Sequence, residues 1–306
     1  MFYSVHDTIL LAGGYNEEAA RRFDSIGYKI QNILPLPIKC SNNKLFLTNN
    51  NDLICFGGNL KNCYILKNEK WKVQSTLNFK RYGGVFVKMP KGIFAFGGKI
   101  DPNSSEFLPN GSTVWIMGPK IPKINIQPQD GTLHAVPFIP ENGHKISENE
   151  LILVSNCGLM KFDVEFWIFT EFMKLDLSEA NWFASVIFDG KMIITGGEKF
   201  INNGTQFARS FGTHIIDLKT KECRIVGQMK IAKSRHAMEV ISINNELKVI
   251  TFGGTAKFTD YPHYKNLKSI EVFDEDTETW TLMDIELKQA RRNFGHVKMS
   301  STALFS

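Results

Sequence analysis

Ile250-Thr251-Phe252-Gly253-Gly254 ends a short apolar run in a glycine pair, and the signature returns along the chain. The other copies are Leu10-Leu11-Ala12-Gly13-Gly14, Ile54-Cys55-Phe56-Gly57-Gly58, Phe94-Ala95-Phe96-Gly97-Gly98 and Ile193-Ile194-Thr195-Gly196-Gly197. From Gly14 the steps are 44 and 40 residues, then 99 to Gly197, which fits two units rather than one. A strand-rich unit of this length cannot bury both faces of its own sheet. It must stack against copies of itself, and a closed set of copies leaves few open edges.

The last unit shows the pattern best. Arg235 to Ile241 alternates as a strand, Asn244-Asn245 turns, and Leu247 to Phe252 is a second strand ending in the glycine pair. A polar loop, Thr255 to Lys268, leads to a third strand, Ser269 to Asp274, and a fourth follows around Trp280. Four strands joined as a meander make one propeller blade. Unit five repeats this, with Cys223 where unit six has Trp280. Unit four keeps Phe162-Asp163 and Trp167, with a first strand near Thr132–Phe138 and Ser155-Asn156 in place of the glycines. Unit three places its third and fourth strands near Val114–Met117 and Lys123–Ile126. Unit one is split: Arg292-Asn293-Phe294-Gly295-His296-Val297 matches the opening of other units and supplies the strand missing before Thr8–Ala12.

The expected fold is therefore all-β, a six-bladed β-propeller of four-stranded antiparallel blades closed by the C-terminal strand pairing into the N-terminal blade. The chain, residues 1–306, reads as a single propeller. Blade one is 1–34 plus 290–300, blade two 38–78, blade three 79–128, blade four 130–177, blade five 180–230 and blade six 233–287. Glycine suits the ends of inner strands, where neighbouring backbones approach and a Cβ would clash. Asp24, Asp163, Asp217 and Asp274 stand at strand ends, where a carboxylate holds a turn.

These landmarks together resemble the kelch family over nearly the whole chain: an apolar strand ending Gly-Gly, an aromatic-Asp or aliphatic-Asp step, and a Trp a few residues on. The resemblance implies a protein-interaction module. Kelch propellers include the substrate-reading ends of cullin ubiquitin-ligase adaptors, actin binders and scaffolds. The chain opens inside blade one, so it reads either as a bare propeller or as a piece lacking a BTB-like or F-box-like segment.

Composition narrows the alternatives. A net charge of +5 with no cluster of five or more Lys/Arg argues against nucleic acid. No apolar run approaches a membrane span, and the start does not read as a signal peptide. Five cysteines without a C-x-x-C pair read as reduced thiols in a cytoplasmic protein. Seven scattered histidines offer no pair at ligand spacing, so no metal or other cofactor is expected. Phosphate-loop, G-x-S-x-G, H-E-x-x-H and Asp-box motifs are absent, and the chain reads as non-enzymatic. A catalytic or small-ligand propeller, or an actin-binding scaffold, is the alternative. The oligomeric state stays open.

Candidate binding residues come from the starts of the inner strands. Aligned on an apolar residue five positions later, these starts are Arg81, Asn181, Arg235 and Arg292, followed by Tyr82, Trp182, His236 and Asn293. In a propeller such positions converge at one face, where guanidiniums and aromatic rings would read an acidic peptide or protein surface. The kelch resemblance implies the same, since some adaptors use Arg there for acidic motifs. The other reading is structural, with each Arg bonding carbonyls of a neighbouring blade. Phe107, Phe200, Phe207, Phe258, Tyr261 and Tyr264 fall in long loops bordering that face and add candidate contacts.

Overall fold

The computed structural model describes residues 7–14, 23–26, 35–48, 50–58, 60–126, 134–138, 142–175, 177, 181–201, 206–208, 212–256 and 264–299. These residues are all-β: they form antiparallel sheets of the β-propeller type and include no helix, hence none long and apolar enough to cross a membrane. Five four-stranded blades are present among them, where six were expected. The sixth sheet, built from both termini, has three described strands. Its expected fourth, Tyr28-Lys29-Ile30, lies outside the described residues.

The chain divides into two compact units, Met1–Ile54 with Leu66–Trp71 and Ala180–Ser306, and Cys55–Ile65 with Lys72–Glu179. The division passes through the second blade, whose strands are Asn43–Leu47, Leu53–Gly57, Asn62–Lys67 and Lys70–Thr76.

The first unit holds the fifth blade (Ala184–Phe188, Lys191–Thr195, Thr213–Asp217, Cys223–Val226) and the sixth (Ala237–Ile243, Glu246–Phe252, Lys265–Asp274, Thr279–Arg291). It also holds the split blade. Gly295–Met299 runs antiparallel to Thr8–Ala12 in the register Ala12↔Gly295 to Thr8↔Met299, with Phe23–Ile26 on the other side. The expected pairing of head and tail is met. Where blades abut, the second glycine of each pair donates its N–H to a carbonyl of the segment that leads into the next inner strand: Gly197 to Lys233 at 3.0 Å and Gly254 to Arg291 at 2.7 Å. A Cβ on Gly196 would lie 2.5 Å from the Lys233 oxygen, and both pairs have positive φ, so only glycine permits this approach.

The second unit holds the third blade (Val85–Met89, Gly92–Phe96, Ser105–Pro109, Ile116–Met117) and the fourth (Asn142–Lys145, Glu150–Ser155, Gly158–Asp163, Ile168–Lys174). The strand assignments read from the sequence shift here. The third strand of blade three is Ser105–Pro109 and the fourth is Ile116–Met117, so Phe107 lies in a strand, stacked on Phe94 at 4.4 Å, and not in a loop. Lys123–Ile126 and His134–Pro137 pair with each other as a separate ribbon, and Asn142–Lys145 becomes the inner strand of blade four. These segments carry no glycine pair, and short apolar runs do not declare their partners.

Packing follows the alternation. In the second unit, Phe94, Phe96, Phe162 and Phe169 interlock edge to face beneath Val85, Val87 and Leu153. In the first, Trp280 pairs with Phe273 across its blade and donates from Nε1 to Thr213 Oγ1 at 2.7 Å. Cys223 pairs with Ile216 in the matching place, as the sequence indicated. In blade four that place belongs to Phe169, opposite Phe162, and Trp167 sits in the turn at φ 60. The strand-end carboxylates act as expected: Asp163, Asp217 and Asp274 accept backbone N–H bonds at 2.8–2.9 Å, and those bonds hold the Asp217 and Asp274 carboxyls below the usual range. None of the five cysteines is in a disulfide. Cys63 is fully buried, its thiol pushed up to about 12, an inert packing group.

Candidate functional site

Each inner strand of the first unit is entered through a residue with left-handed backbone: Trp182 at φ 57, Arg235 at 57, Asn293 at 52 and Asn42 at 55. These residues are joined by backbone hydrogen bonds from blade to blade. Arg235 N–H donates to Trp182 O at 2.9 Å, Asn293 N–H to Arg235 O at 3.1 Å, and Asn42 N–H to Asn293 O at 2.7 Å. A β-region conformation would turn these groups along the strand; the left-handed one turns them toward the neighbouring blade. The chain of bonds sets Trp182, Arg235 and Asn293 side by side.

This frame corrects the alignment read from the sequence. Trp182, Arg235 and Asn293 are equivalent, and one residue earlier stand Asn181, Ser234 and Arg292. Asn181 and Glu198 exchange both backbone bonds at 2.9 Å, as do Ser234 and Thr255 at 3.0 and 2.9 Å. In the second unit the left-handed residue is Gly83, at φ 70. Tyr82 precedes it, 37% exposed, its carbonyl accepting from Lys99 N–H at 3.0 Å. The arginines aligned by sequence therefore occupy three different positions. Inner strands such as Val85–Met89 and Ala184–Phe188 carry consecutive apolar residues, so a single apolar landmark leaves the register open to slips.

Arg81 is fully buried. It donates from Nε and Nη2 to Glu106 Oε1 at 2.9 and 2.7 Å, and from Nη1 to the carbonyls of Gly97 and Ser104 at 2.6 and 3.2 Å. Glu106 also accepts the backbone N–H of Asn78 at 2.7 Å, which fixes the segment entering the blade. In blade six, Lys233 pairs with Glu271 at 3.0 Å, both side chains fully buried, and Glu271 accepts the backbone N–H of Lys230 at 2.6 Å. Arg291 repeats one contact, donating from Nη1 to Gly13 O at 2.8 Å. Arg81 and Lys233 each bond within their own blade, so Arg81 has a structural place, but the carbonyls it bonds belong to its own blade and not to a neighbouring one.

Glu106 and Glu271 were not singled out in the sequence. Each is paired with the residue two places before a glycine pair, Ala95 and Thr251. A lone acid in an apolar third strand was the available signal. Blade five has His214 at this register, kept neutral by burial, and blade four has Met160.

Arg235 differs. Its guanidinium lies 4.0 Å over the Trp182 ring and donates from Nη2 to Glu198 Oε1 at 2.7 Å, with the Arg side chain 20% exposed and the Glu 5%. Burial pushes the Glu198 carboxyl up from its usual range. The charges of Arg235 and Arg292 and the side chains of Ser234 and Tyr264 oppose that shift. Tyr264 lies close to Glu198 and its hydroxyl is pushed up to about 12, first by burial and then by the Glu198 charge. Trp182, Arg235, Glu198, Tyr264 and Arg292 thus form one polar cluster at the strand entries of the first unit. His236, by contrast, is buried against Gly196 and Gly254, and burial with the nearby Lys233 charge keeps it neutral.

Phe200 and Phe207 are paired partners in a ribbon, Lys199–Ile201 with Gln206–Ala208, that leaves the blade next to Glu198. Phe258 and Tyr261 lie outside the described residues. Among the described residues no group of three or more His, Cys, Asp or Glu could hold a metal ion. The chain matches no protein-family model and no curated protein.

Proposed function

We propose that this chain is a kelch-type interaction propeller that captures an acidic side chain of a protein partner at the Trp182–Arg235–Arg292 cluster. One observation carries the reading. Arg235 is partly exposed, held 4.0 Å over the Trp182 ring and bonded to Glu198 through Nη2, so its remaining donors are preorganised for a second carboxylate. Arg292 adds a second positive charge beside the same carboxylate. Asn181, Asn293 and the ribbon Lys199–Ile201 with Gln206–Ala208 border the cluster along the chain. Tyr82 is the candidate contact in the other unit. The acidic groups of the cluster do not favour catalysis at neutral pH: Glu198 is bound to Arg235, and Tyr264 keeps its proton. A reducing, cytoplasmic compartment suits five cysteines outside any disulfide.

The test is affinity capture from cell extract with the wild-type chain and an Arg235→Ala/Arg292→Ala variant, at low and moderate salt. The reading expects partners that the variant loses and that salt releases. Equal recovery by both proteins, with the same salt dependence, overturns it.

A further inference from the structure

The cluster already contains an acid of its own. Glu198 is 5% exposed and takes the Nη2 bond of Arg235 at 2.7 Å, the contact that an acidic residue of a partner would make. The guanidinium is one small planar group, so a second carboxylate bonded to its exposed donors must approach the Glu198 carboxylate already bonded to Nη2. We propose that Glu198 is the internal occupant of the anion site, so that an acidic partner binds in competition with its charge and drives a proton onto it. The inference rests on the acidic-peptide reading of the cluster.

The chemistry has a definite direction. Two carboxylates at one guanidinium repel, and the cheaper arrangement protonates the more buried of them. That one is Glu198, which burial already pushes above its usual range. The step takes one proton from solvent onto Glu198. The groups facing Glu198 are Arg235 and Ser234 from blade six, Tyr264 from the segment entering its third strand, and Arg292 from the C-terminal segment. Tyr264 keeps its proton throughout and His236 stays neutral, so neither contributes to proton uptake at weakly acidic pH. Arg235 does not depend on the ionic bond for its place. Trp182 supports it at 4.0 Å, and a neutral Glu198 still offers an acceptor oxygen. Affinity for an acidic partner therefore rises as pH falls toward the raised Glu198 value.

The experiment uses the full chain and a fluorescein-labelled oligoglutamate peptide, followed by anisotropy between about pH 5.5 and about pH 8. Glu198→Gln removes the charge and keeps an acceptor for Arg235. It should bind the peptide on the order of tenfold more tightly than wild type near pH 8, and lose most of the pH dependence. Carbon-13 NMR of the glutamate carboxyls in wild type gives a second readout free of any substitution: one titration, moved upward by the peptide. If wild type binds, Arg235→Ala fails to bind, and Glu198→Gln binds equally or more weakly, the competition is wrong and the acidic-peptide reading survives. If no protein binds, or Arg235→Ala binds as wild type does, both are overturned.

Discussion

Arg81 and Arg235 both open an inner strand, and each lies 2.7 Å from a glutamate, yet the two pairs have opposite characters. Arg81 sits two residues ahead of its blade's left-handed residue, is 1% exposed along its side chain, and uses Nε, Nη1 and Nη2 inside the blade. Arg235 is itself the left-handed residue, is 20% exposed, and makes one ionic bond over a tryptophan. A shift of two positions turns a cross-link into a surface group. The lesson is that an arginine at a strand start has no role until its register against the left-handed residue is known.

The comparison predicts a large difference in stability. Arg81→Ala leaves Glu106 buried without its cation and should cost about 3–5 kcal/mol by urea unfolding. Arg235→Ala, at a partly exposed pair, should cost about 1 kcal/mol or less. Equal losses would break the distinction between cross-link and reader. Blade four sharpens the point, because Phe138 and Met160 lie at the corresponding places there, both in an apolar cluster. Replacing the pair together, Arg81→Met with Glu106→Met, should therefore recover at least half of the loss seen for Arg81→Met alone. No recovery would mean that the bonds to the Gly97 and Ser104 carbonyls, rather than the buried charge, dominate.

A smaller effect should appear in acid. His296 is held down to about 3 by burial and the Lys44 charge, with the Glu239 carboxylate 3.8 Å away, and His236 is held well below its usual value beside Lys233. Each is neutral when folded and takes up a proton when unfolded. Their contribution is therefore complete above the ordinary histidine value near 6.5 and is lost as pH falls below it, with a slope of about 1.4 kcal/mol per pH unit per group. His296→Gln should flatten the stability profile over that window; an unchanged slope would remove His296 as a contributor. The smallest effect belongs to the turns. Asp217→Ala removes the acceptor of two backbone N–H bonds at an exposed loop and should lower the urea midpoint only slightly, less than any of the changes above. A loss as large as that of Arg81→Ala would make the turn, rather than the buried pair, the stronger device.

The blade pattern was legible because it rests on local rules. Glycine pairs need positive φ and close approach, and strand-end aspartates accept from N–H groups two or three residues further on. Both can be read from neighbours in the chain. The pairing of Thr8–Ala12 with Gly295–Met299 was legible for the same reason, since the C-terminal segment repeats the opening of an inner strand. The ribbon Lys123–Ile126/His134–Pro137 was not. Its strands carry no glycine pair, and their hydrogen bonds could equally have extended either blade. Glu198 was missed because it follows Gly196-Gly197 in what reads as a polar loop, and its partner lies 37 residues away on the next blade.

The sequence by itself determined that this chain is built from repeated four-stranded meanders and that its two ends belong to one sheet. A glycine pair, an apolar run and a turn aspartate act through nearest neighbours, and their energies do not depend on what lies across the core. Only the tertiary structure decided which strand-entry cation is buried and which is offered to solvent. That outcome depends on register, and a strand with consecutive apolar residues packs almost as well one residue out of step, until a carboxylate or a neighbouring tryptophan selects the alignment.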